Sequence, residues 1–200
     1  MEDIQVYNFK VKSSLGDYNV QFIKNFKKIL KKNIAKGDKI VIDSYIYNNY
    51  QNFFKEYKKS IISIDAHEKT KSYIGVEKII SMLIEDGFKK TNTLIAIGGG
   101  ITQDVTAFIA SILYRGVNWI FFPTTLLAQG DSCIGSKTSI NFRSFKNQLG
   151  GFYPPKEIYI YTDFLNSLPE SQIKSGIGEM FHYFVVSNKD DFIFFKNNFK

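Results

Sequence analysis

Residues 94–147 constrain the fold more than any other part of the chain. A short apolar run leads directly into Gly98-Gly99-Gly100, residues 102–114 have the periodicity of an amphipathic helix, and a second apolar run at 118–122 ends at Pro123. Short apolar runs that alternate with helices are typical of parallel strands buried between helical layers. The segment therefore predicts an α/β fold with a mostly parallel sheet, whose ligand site should lie at the carboxyl ends of the strands.

The same pattern continues on both sides of this segment. Strands are predicted at residues 5–11, 39–42, 60–64, 93–97 and 157–161, and further helices at 18–33, through residue 57, and at 72–86. Asp43-Ser44 should cap the second of these helices, and Gly87 should end the third.

The pattern of strands alternating with helices changes after residue 146. Residues 150–155 are predicted as loop and 163–169 as a turn, while residues 170–200 have a helical pattern that is broken near 187–190. We therefore place an α/β domain at residues 1–165 and the start of a second, helical domain at 166–200.

The bulk composition argues against several classes of protein. The net charge of +7 comes largely from scattered lysines, several of them on a predicted helix, which favours a solvated face over a nucleic-acid footprint. The single cysteine, Cys133, excludes an intrachain disulfide. No apolar stretch reaches the ~18 residues that cross a bilayer, and the acidic start at Met1-Glu2-Asp3 does not resemble a signal peptide. We expect a cytoplasmic protein that binds neither nucleic acid nor membrane.

The three glycines between a strand and a helix are a candidate phosphate site. Glycines let backbone N–H groups approach an anion closely, and the helix N-terminus adds a dipole that contributes about 0.3–1 kcal/mol. The spacing does not match G-x-G-x-x-G, and a tight structural turn explains these glycines equally well. Asp104 could cap the helix or accept hydrogen bonds from a cofactor, and the pattern alone slightly favours capping.

Hydroxyls and amines follow at the next element ends. Thr124 and Thr125 present two hydroxyls after a strand, although Thr125 could simply cap the following helix. Lys137 lies in an apolar neighbourhood, where an ammonium group needs an anionic partner such as phosphate, although a surface position is as good an explanation. Lys146-Asn147 again places donors beside the flexible backbone of Gly150-Gly151.

Glu179 and His182 lie at i and i+3 of the last predicted helix and therefore share a face. Glu-x-x-His is half of a carboxylate-bridged dimetal site in helical bundles, but the sequence has no second pair, and an exposed or capping pair is the simpler interpretation. His67 is predicted to be a loop histidine.

Together these motifs resemble those of 3-dehydroquinate synthase and the related sugar-phosphate cyclases. The similarity is close over residues 94–179 and looser before them. The matching residues, in chain order, are Gly98-Gly99-Gly100-Ile101 with Asp104, Tyr114-Arg115-Gly116, residues 123–129, Asp131-Ser132, Lys137-Thr138, Asn141, Lys146-Asn147, Phe152-Tyr153, Leu168-Pro169, Gly176 and Glu179. So many motifs in the same order argue against a chance match.

The resemblance implies a fold and an activity. The fold would be a Rossmann-like, mostly parallel sheet followed by the beginning of a C-terminal α-helical metal-binding domain. The activity would be that of a lyase in the shikimate pathway, which eliminates phosphate from a sugar phosphate and closes a carbocycle. NAD and a divalent metal, zinc or cobalt, would be the cofactors. NAD would oxidise a substrate hydroxyl transiently and would be regenerated in each turnover.

The resemblance also implies roles for individual residues. Those implied to bind NAD are Asp43, Glu68, Lys71, Gly99, Gly100, Ile101, Asp104, Thr124, Thr125, Leu127, Asp131, Ser132, Lys146 and Ser167. Those implied to act on the substrate are Asp131, Lys137, Asn147, Arg115 and His182. Arg115 would reach the substrate phosphate from the partner subunit of a homodimer, and Glu179 would bind the metal.

Several positions depart from the family pattern. His182 stands where the family usually has lysine, Ser136 where it has glycine, Gln172 where it has an acidic residue, and Ser167 where it has threonine. His182 and Gln172 are compatible with a cyclase that acts on a different sugar phosphate.

The family's two metal-binding histidines lie beyond its equivalent of Lys200, and a catalytic zinc normally has three protein ligands. We therefore expect the chain to be a fragment that is inactive alone. The alternatives that stay open are a metal-dependent polyol dehydrogenase and a non-catalytic NAD-binding module.

Overall fold

The computed structural model describes residues 7–198. The strands are β1 (Phe9–Val11), β2 (Tyr18–Phe22), β3 (Lys39–Asp43), β4 (Ile61–Ile64), β5 (Thr93–Gly98), β6 (Asn118–Pro123), β7 (Lys137–Phe142), β8 (Phe145–Phe152) and β9 (Glu157–Ile160). The α-helices are α1 (Phe26–Asn33), α2 (Ser44–Asn49), α3 (Gln51–Phe54), α4 (Tyr73–Glu85), α5 (Gly100–Ile112), α6 (Glu170–Ser187) and α7 (Lys189–Asn198). A π-helical turn occupies Ala128–Ser132.

The main sheet is parallel in all but its first strand. Its order is β1-β2-β9-β6-β5-β3-β4, and only β1 runs antiparallel to its neighbour. From β3 the chain moves outward to β4 and then returns to β5 on the other side of β3. The carboxyl ends of β3 and β5 therefore flank the switch point at which open α/β sheets bind their ligands. The predicted α/β fold is confirmed.

Alternating residues of the strands fill two separate cores. On β5, Leu94 and Ala96 pack with residues of α4 and α5, while Ile95 and Ile97 pack with residues of α1, α2 and α3. All four side chains are fully buried. Because successive side chains of a strand point to opposite faces, a strand covered by helices on both sides has no polar face. This explains why the predicted strands read as continuous apolar runs.

The predicted helix over residues 18–33 is wrong in its first half. Tyr18–Phe22 forms β2, which pairs in parallel with β9, and the helix begins only at Phe26. The Asn25 side chain marks this start, since it accepts a hydrogen bond of 3.0 Å from the Lys28 N–H. Tyr18 and Val20 are buried and lie two residues apart, as on one face of a strand. In so short a segment, this spacing looks the same as part of a helical pattern.

The predicted loop over residues 150–155 is also partly wrong. Gly150, Gly151 and Phe152 belong to β8, which pairs with β7 in a separate antiparallel hairpin. β8 is almost wholly exposed, so its sequence carries no apolar alternation that could reveal a strand. The hairpin packs through β7 against α5, and Ile140 joins the core there.

The helical pattern after residue 170 is confirmed as α6 and α7, with a break at Asn188. α6 packs against the π-helical turn, where Met180 meets Gly130, and against the residues just before it, where Gly176 meets Leu126. The division into domains at residues 165 and 166 stays a prediction. Within residues 7–198, no helix is both long enough and apolar enough to span a bilayer.

Candidate functional site

A cleft of about 660 Å³ opens at the carboxyl ends of β3, β5 and β6. Its walls come from the segments that follow these strands, from the loop after β4 and from the start of α6. The predicted site residues that line it are Asp43, Lys71, Gly99, Gly100, Ile101, Asp104, Thr124, Thr125, Leu127 and Ser132. The cleft thus lies at the switch point and gathers most of the predicted cofactor residues.

The glycine turn fits closely against neighbouring threonines. A Cβ on Gly98 would lie 2.3 Å from Thr102 Oγ1, and a Cβ on Gly99 would lie 2.8 Å from Thr125 Cγ2. Both distances are too short for real atoms, so only glycine fits at these two positions. The same close packing brings the start of α5 to the cleft, where no side chain caps it. Its first N–H groups are therefore free to face an anion, so a structural turn and a phosphate site are compatible here.

The Thr124 hydroxyl is buried in the cleft wall without a hydrogen-bond partner among the described residues. Its backbone N–H, in contrast, donates to the Gly98 carbonyl at 2.9 Å and ties β6 to the glycine turn. A buried polar group without a partner costs about 1–3 kcal/mol, so a ligand that pairs with it gains affinity. The Thr125 hydroxyl accepts a hydrogen bond of 3.2 Å from the Ala128 N–H, which confirms the predicted cap.

Lys71 and Asp104 form an ion pair in the cleft with an N–O distance of 2.6 Å, and their side chains are only 10% and 20% exposed. Burial raises the pKa of Asp104, although Lys71 and the Ser139 N–H both oppose that rise. Asp104 is the fifth residue of α5, which begins at Gly100 rather than at residue 102. The preference for helix capping at Asp104 was therefore wrong, because its carboxylate is too deep in the helix and is held by Lys71.

Asp43 caps α2 with one oxygen, which accepts a hydrogen bond of 2.9 Å from the Tyr45 N–H. Burial raises the pKa of this carboxyl, and the nearby Asp65 raises it further. Asp43 also lines the cleft, and its second oxygen accepts no hydrogen bond from the described residues. It is placed to accept a hydrogen bond from a ligand hydroxyl, as acidic residues beside dinucleotide sites do.

Four predicted cofactor residues do not line the cleft: Asp131, which belongs to the π-helical turn, and Glu68, Lys146 and Ser167. Glu68 accepts a hydrogen bond of 2.6 Å from Asn141 Nδ2. Lys146 lines a neighbouring groove of about 980 Å³. The Ser167 hydroxyl donates to the carbonyl of Phe164 at 3.0 Å. Their roles stay predictions.

Four of the five predicted substrate residues lie on the π-helical turn, the hairpin or α6. Asp131, in the π-helical turn, accepts a hydrogen bond of 2.8 Å from the Tyr183 hydroxyl. This bond raises the pKa of Tyr183, with a smaller contribution from Glu179. Lys137 at the start of β7 and Asn147 in β8 are exposed, as are Glu179 and His182 on α6.

Tyr183 was missed by the sequence analysis. Its position four residues after Glu179, on the same helical face, was the available signal.

Arg115 lies at the opposite end of the sheet from the cleft. It precedes β6 in a left-handed turn, with φ of 51° at Tyr114, 64° at Arg115 and 100° at Gly116. The Lys90 ammonium group donates to the three carbonyls of this turn and holds it in place. The six residues of β6 separate Arg115 from Thr124 by about 20 Å at ~3.3 Å per residue. Arg115 therefore does not reach the cleft of its own chain.

Residues 7–198 do not form a metal site. In that range no three His, Cys, Asp or Glu side chains come close enough together to hold an ion. Glu179 is exposed on α6, and a single carboxylate is too few ligands for a catalytic zinc. The metal role of Glu179 stays a prediction, and the described residues alone do not fit a metal.

Comparison with known proteins assigns the family. Residues 61–175 match the family model described as 3-dehydroquinate synthase N-terminal. The chain belongs to the 3-dehydroquinate synthase family. The 3-dehydroquinate synthase of Buchnera aphidicola subsp. Cinara cedri (strain Cc) is 38% identical over 198 residues, which cover 98% of this chain and 54% of that protein. The chain thus spans about half the length of this relative.

Solved structures give the same result for the fold. The 2-epi-5-epi-valiolone synthase of Streptomyces hygroscopicus subsp. jinggangensis 5008, solved with NAD+ and Zn2+, has a TM-score of 0.78 and 27% identity over 86% of this chain and 51% of that one. A 2-deoxy-scyllo-inosose synthase complexed with carbaglucose-6-phosphate, NAD+ and Co2+ has a TM-score of 0.79 and 24% identity over 92% of this chain and 52% of that one. The second likeness shows the fold alone.

Proposed function

We propose that this chain binds NAD+ in the cleft and supplies the cofactor half of a 3-dehydroquinate synthase-type active site. The observation that carries the proposal is the meeting of an uncapped helix start, a glycine turn and an unpartnered Thr124 hydroxyl at the switch point of the sheet. Family membership supports it, as does the valiolone synthase solved with NAD+. The cleft volume of about 660 Å³ lies within the range of about 300–1,000 Å³ for small-molecule sites.

Backbone N–H groups, a carboxylate oxygen and a hydroxyl would hold different parts of the cofactor. The first N–H groups of α5 would hold the pyrophosphate, where the helix dipole favours an anion. The free oxygen of Asp43 would accept hydrogen bonds from ribose hydroxyls. The Thr124 hydroxyl would gain the partner that it lacks in the described structure. The Lys71–Asp104 pair would fix the intervening wall, because a paired ammonium group and carboxylate keep a single orientation.

The substrate class would be a sugar phosphate, from which phosphate is eliminated and a carbocycle formed. When bound, NAD+ would supply reversible hydride transfer with the carbon that bears a substrate hydroxyl. Lys137, exposed at the start of β7, would neutralise anionic oxygen atoms of the substrate. Asn147 would donate to a substrate oxygen and Asp131 would accept from a substrate hydroxyl. Because residues 7–198 do not form a metal site, a divalent metal would need ligands from outside this range.

Arg115 supports a homodimer. The length of β6 separates Arg115 from Thr124 in the cleft of its own chain by about 20 Å, so Arg115 can bind the substrate phosphate only at the cleft of a partner subunit. The single cysteine supports a reducing compartment such as the cytoplasm, where proteins seldom form disulfides. Dehydroquinate formation is the first candidate reaction, and cyclisation of another sugar phosphate is the second, because His182 departs from the family lysine.

Calorimetric titration with NAD+ tests the proposal. The Thr124→Val substitution keeps the shape of the side chain but removes the hydroxyl, so NAD+ affinity should fall about fivefold, as expected for loss of one hydrogen bond worth about 1 kcal/mol. Thr106→Val is the matched control, because Thr106 also has a buried hydroxyl without a partner among the described residues but does not line the cleft. Its NAD+ affinity should equal that of the wild type.

Three results of this titration are informative. A wild-type chain that gives no binding heat with NAD+ contradicts the proposed function itself. Equal affinity for the Thr124→Val and wild-type chains removes only the role of the hydroxyl. A loss of affinity in Thr106→Val equal to that in Thr124→Val would assign the effect to packing rather than to a ligand contact.

A further inference from the structure

The hairpin β7–β8 contains an irregularity beside the cleft. Between two regular pairs of its ladder, β7 contributes only Asn141, while β8 contributes residues 146–148. The extra residues form a bulge on β8, and they include two predicted site residues, Lys146 and Asn147. Bulges next to active sites commonly redirect a side chain. Asn147 has φ of 56°, an uncommon conformation for a residue with a side chain, and therefore needs contacts that hold it.

Asn141 supplies the first of these contacts. Its Oδ1 accepts a hydrogen bond of 2.9 Å from the Asn147 N–H, and its Nδ2 donates to Glu68 Oε2 at 2.6 Å. Its backbone N–H donates to the Lys71 carbonyl at 2.8 Å. The residue is only 8% exposed, so its amide group has little access to competing water. Asn141 thus ties the bulge to the segment 68–71.

A second route reaches the same residue through Ser139. The Ser139 N–H lies close enough to the carboxylate of Asp104 to lower the pKa of that carboxyl, and the Ser139 hydroxyl donates to Asn147 Oδ1 at 3.2 Å. Since Lys71 and Asp104 are paired at 2.6 Å, both routes begin at one ion pair in the cleft wall and end at Asn147. The ion pair therefore connects the backbone and the side chain of Asn147 to the cleft.

We propose that Asn141 is a positioning residue that couples occupation of the cleft by NAD+ to the placement of the bulge. The inference rests on the proposed function and adds to it an order of events. A ligand that restrains Lys71 and Asp104 also restrains both hydrogen-bond routes, so bound NAD+ orders Lys146 and Asn147 before substrate binds. Because such coupling is reciprocal, a substrate held by the bulge would in turn tighten NAD+ binding.

Hydrogen–deuterium exchange of the whole chain, with and without NAD+, tests the coupling. In the wild type, NAD+ should slow exchange both at the glycine turn, residues 98–104, and at the bulge, residues 145–149. In Asn141→Ala, NAD+ should still slow exchange at the glycine turn, while the slowing at the bulge should fall about fivefold, as expected for loss of one hydrogen bond. Gln148→Ala is the matched control, since within residues 7–198 its side-chain amide bonds only to the Lys146 carbonyl of the same bulge. It should behave as the wild type.

The outcomes separate this inference from the proposed function. Wild-type slowing at the bulge in Asn141→Ala would overturn the coupling and leave NAD+ binding intact. No slowing anywhere in the wild type would overturn both. If Asn141→Ala does not fold, Ser139→Ala removes only the hydroxyl bond to Asn147. Reduced slowing at the bulge in that variant supports the coupling, and wild-type slowing contradicts it.

Discussion

The Asp104 carboxyl lies where burial disfavours its charged form. Its side chain is 20% exposed, and burial raises its pKa even though Lys71 lies 2.6 Å away. In the unfolded chain the same carboxyl would have its ordinary pKa of 3.8. The folded state therefore binds the proton more tightly than the unfolded state. It follows that the stability contributed by this group is largest below pH 3.8 and is lost as the pH rises through the raised pKa.

The Asp104→Asn variant should reveal this loss. Because an asparagine side chain cannot titrate, the free energy of unfolding of the wild type, minus that of the variant, should decrease as the pH rises from about 4 to about 7. Urea denaturation at a series of pH values measures this difference. Asp17→Asn is the control, because Asp17 is exposed and Lys10 lowers its pKa, so it should not show the decrease. A difference that increases with pH for Asp104→Asn would contradict the raised pKa.

The packing of α6 depends on Gly176 having no side chain. A Cβ at Gly176 would lie 2.7 Å from Leu126 Cβ and 2.9 Å from the backbone nitrogen of Leu127. Since a backbone atom cannot move aside cheaply, α6 would have to shift away from the π-helical turn. Gly178, one half-turn further along, has no atom within 4 Å of its Cβ position.

Alanine substitutions at these two glycines should therefore have opposite effects. Gly176→Ala should lower the free energy of unfolding by about 1–3 kcal/mol, the usual cost of overpacking. Gly178→Ala should raise it by about 0.5–1 kcal/mol, because alanine favours the helix and meets nothing. Thermal or urea unfolding of the two variants makes the comparison. Destabilisation of equal size at both positions would mean that α6 does not pack on the turn as described.

The elements that the sequence predicted well are those buried on both faces. β3, β5 and β6 read as short apolar runs because helices cover them on both sides, and the glycine turn and Pro123 mark their ends. β2 and β8 were missed because strand pairing, a contact between distant segments, stabilises them. Contacts between distant segments also limited how much of the site could be predicted. Thr124 and Asp104 lie in recognisable motifs, whereas the bonds from Asn141 to Glu68 and Lys71 join segments about 70 residues apart.

The whole molecule separates the cleft from Arg115 by the length of its sheet. The cofactor cleft lies at the carboxyl ends of the parallel strands, and Arg115 lies at their amino ends, fixed there by the Lys90 ammonium group. In the proposed homodimer, two-fold symmetry would place the Arg115 of each chain at the cleft of its partner. Each active centre would then contain residues of both chains.

Two inactive variants should therefore restore each other. In a protein extended to the length of its relatives, Lys137→Ala and Arg115→Ala should each abolish phosphate release. When the two are unfolded together and refolded as a mixture, about half of the dimers would be mixed and each would hold one intact centre, so roughly a quarter of the wild-type activity should return. A mixture with no more activity than its components would place Arg115 at the cleft of its own chain or outside the reaction.

In the protein extended to the length of its relatives, the proposed sharing of Arg115 between subunits would also make activity depend on protein concentration. At concentrations where most chains are monomers, the dimeric fraction rises with protein concentration. Specific activity would therefore decline steadily as the protein is diluted. Occupancy by NAD+ would show no such decline, since every isolated chain keeps its own pocket for the dinucleotide. One stock solution, diluted in steps, would thus separate the two halves of the reaction without any mutation.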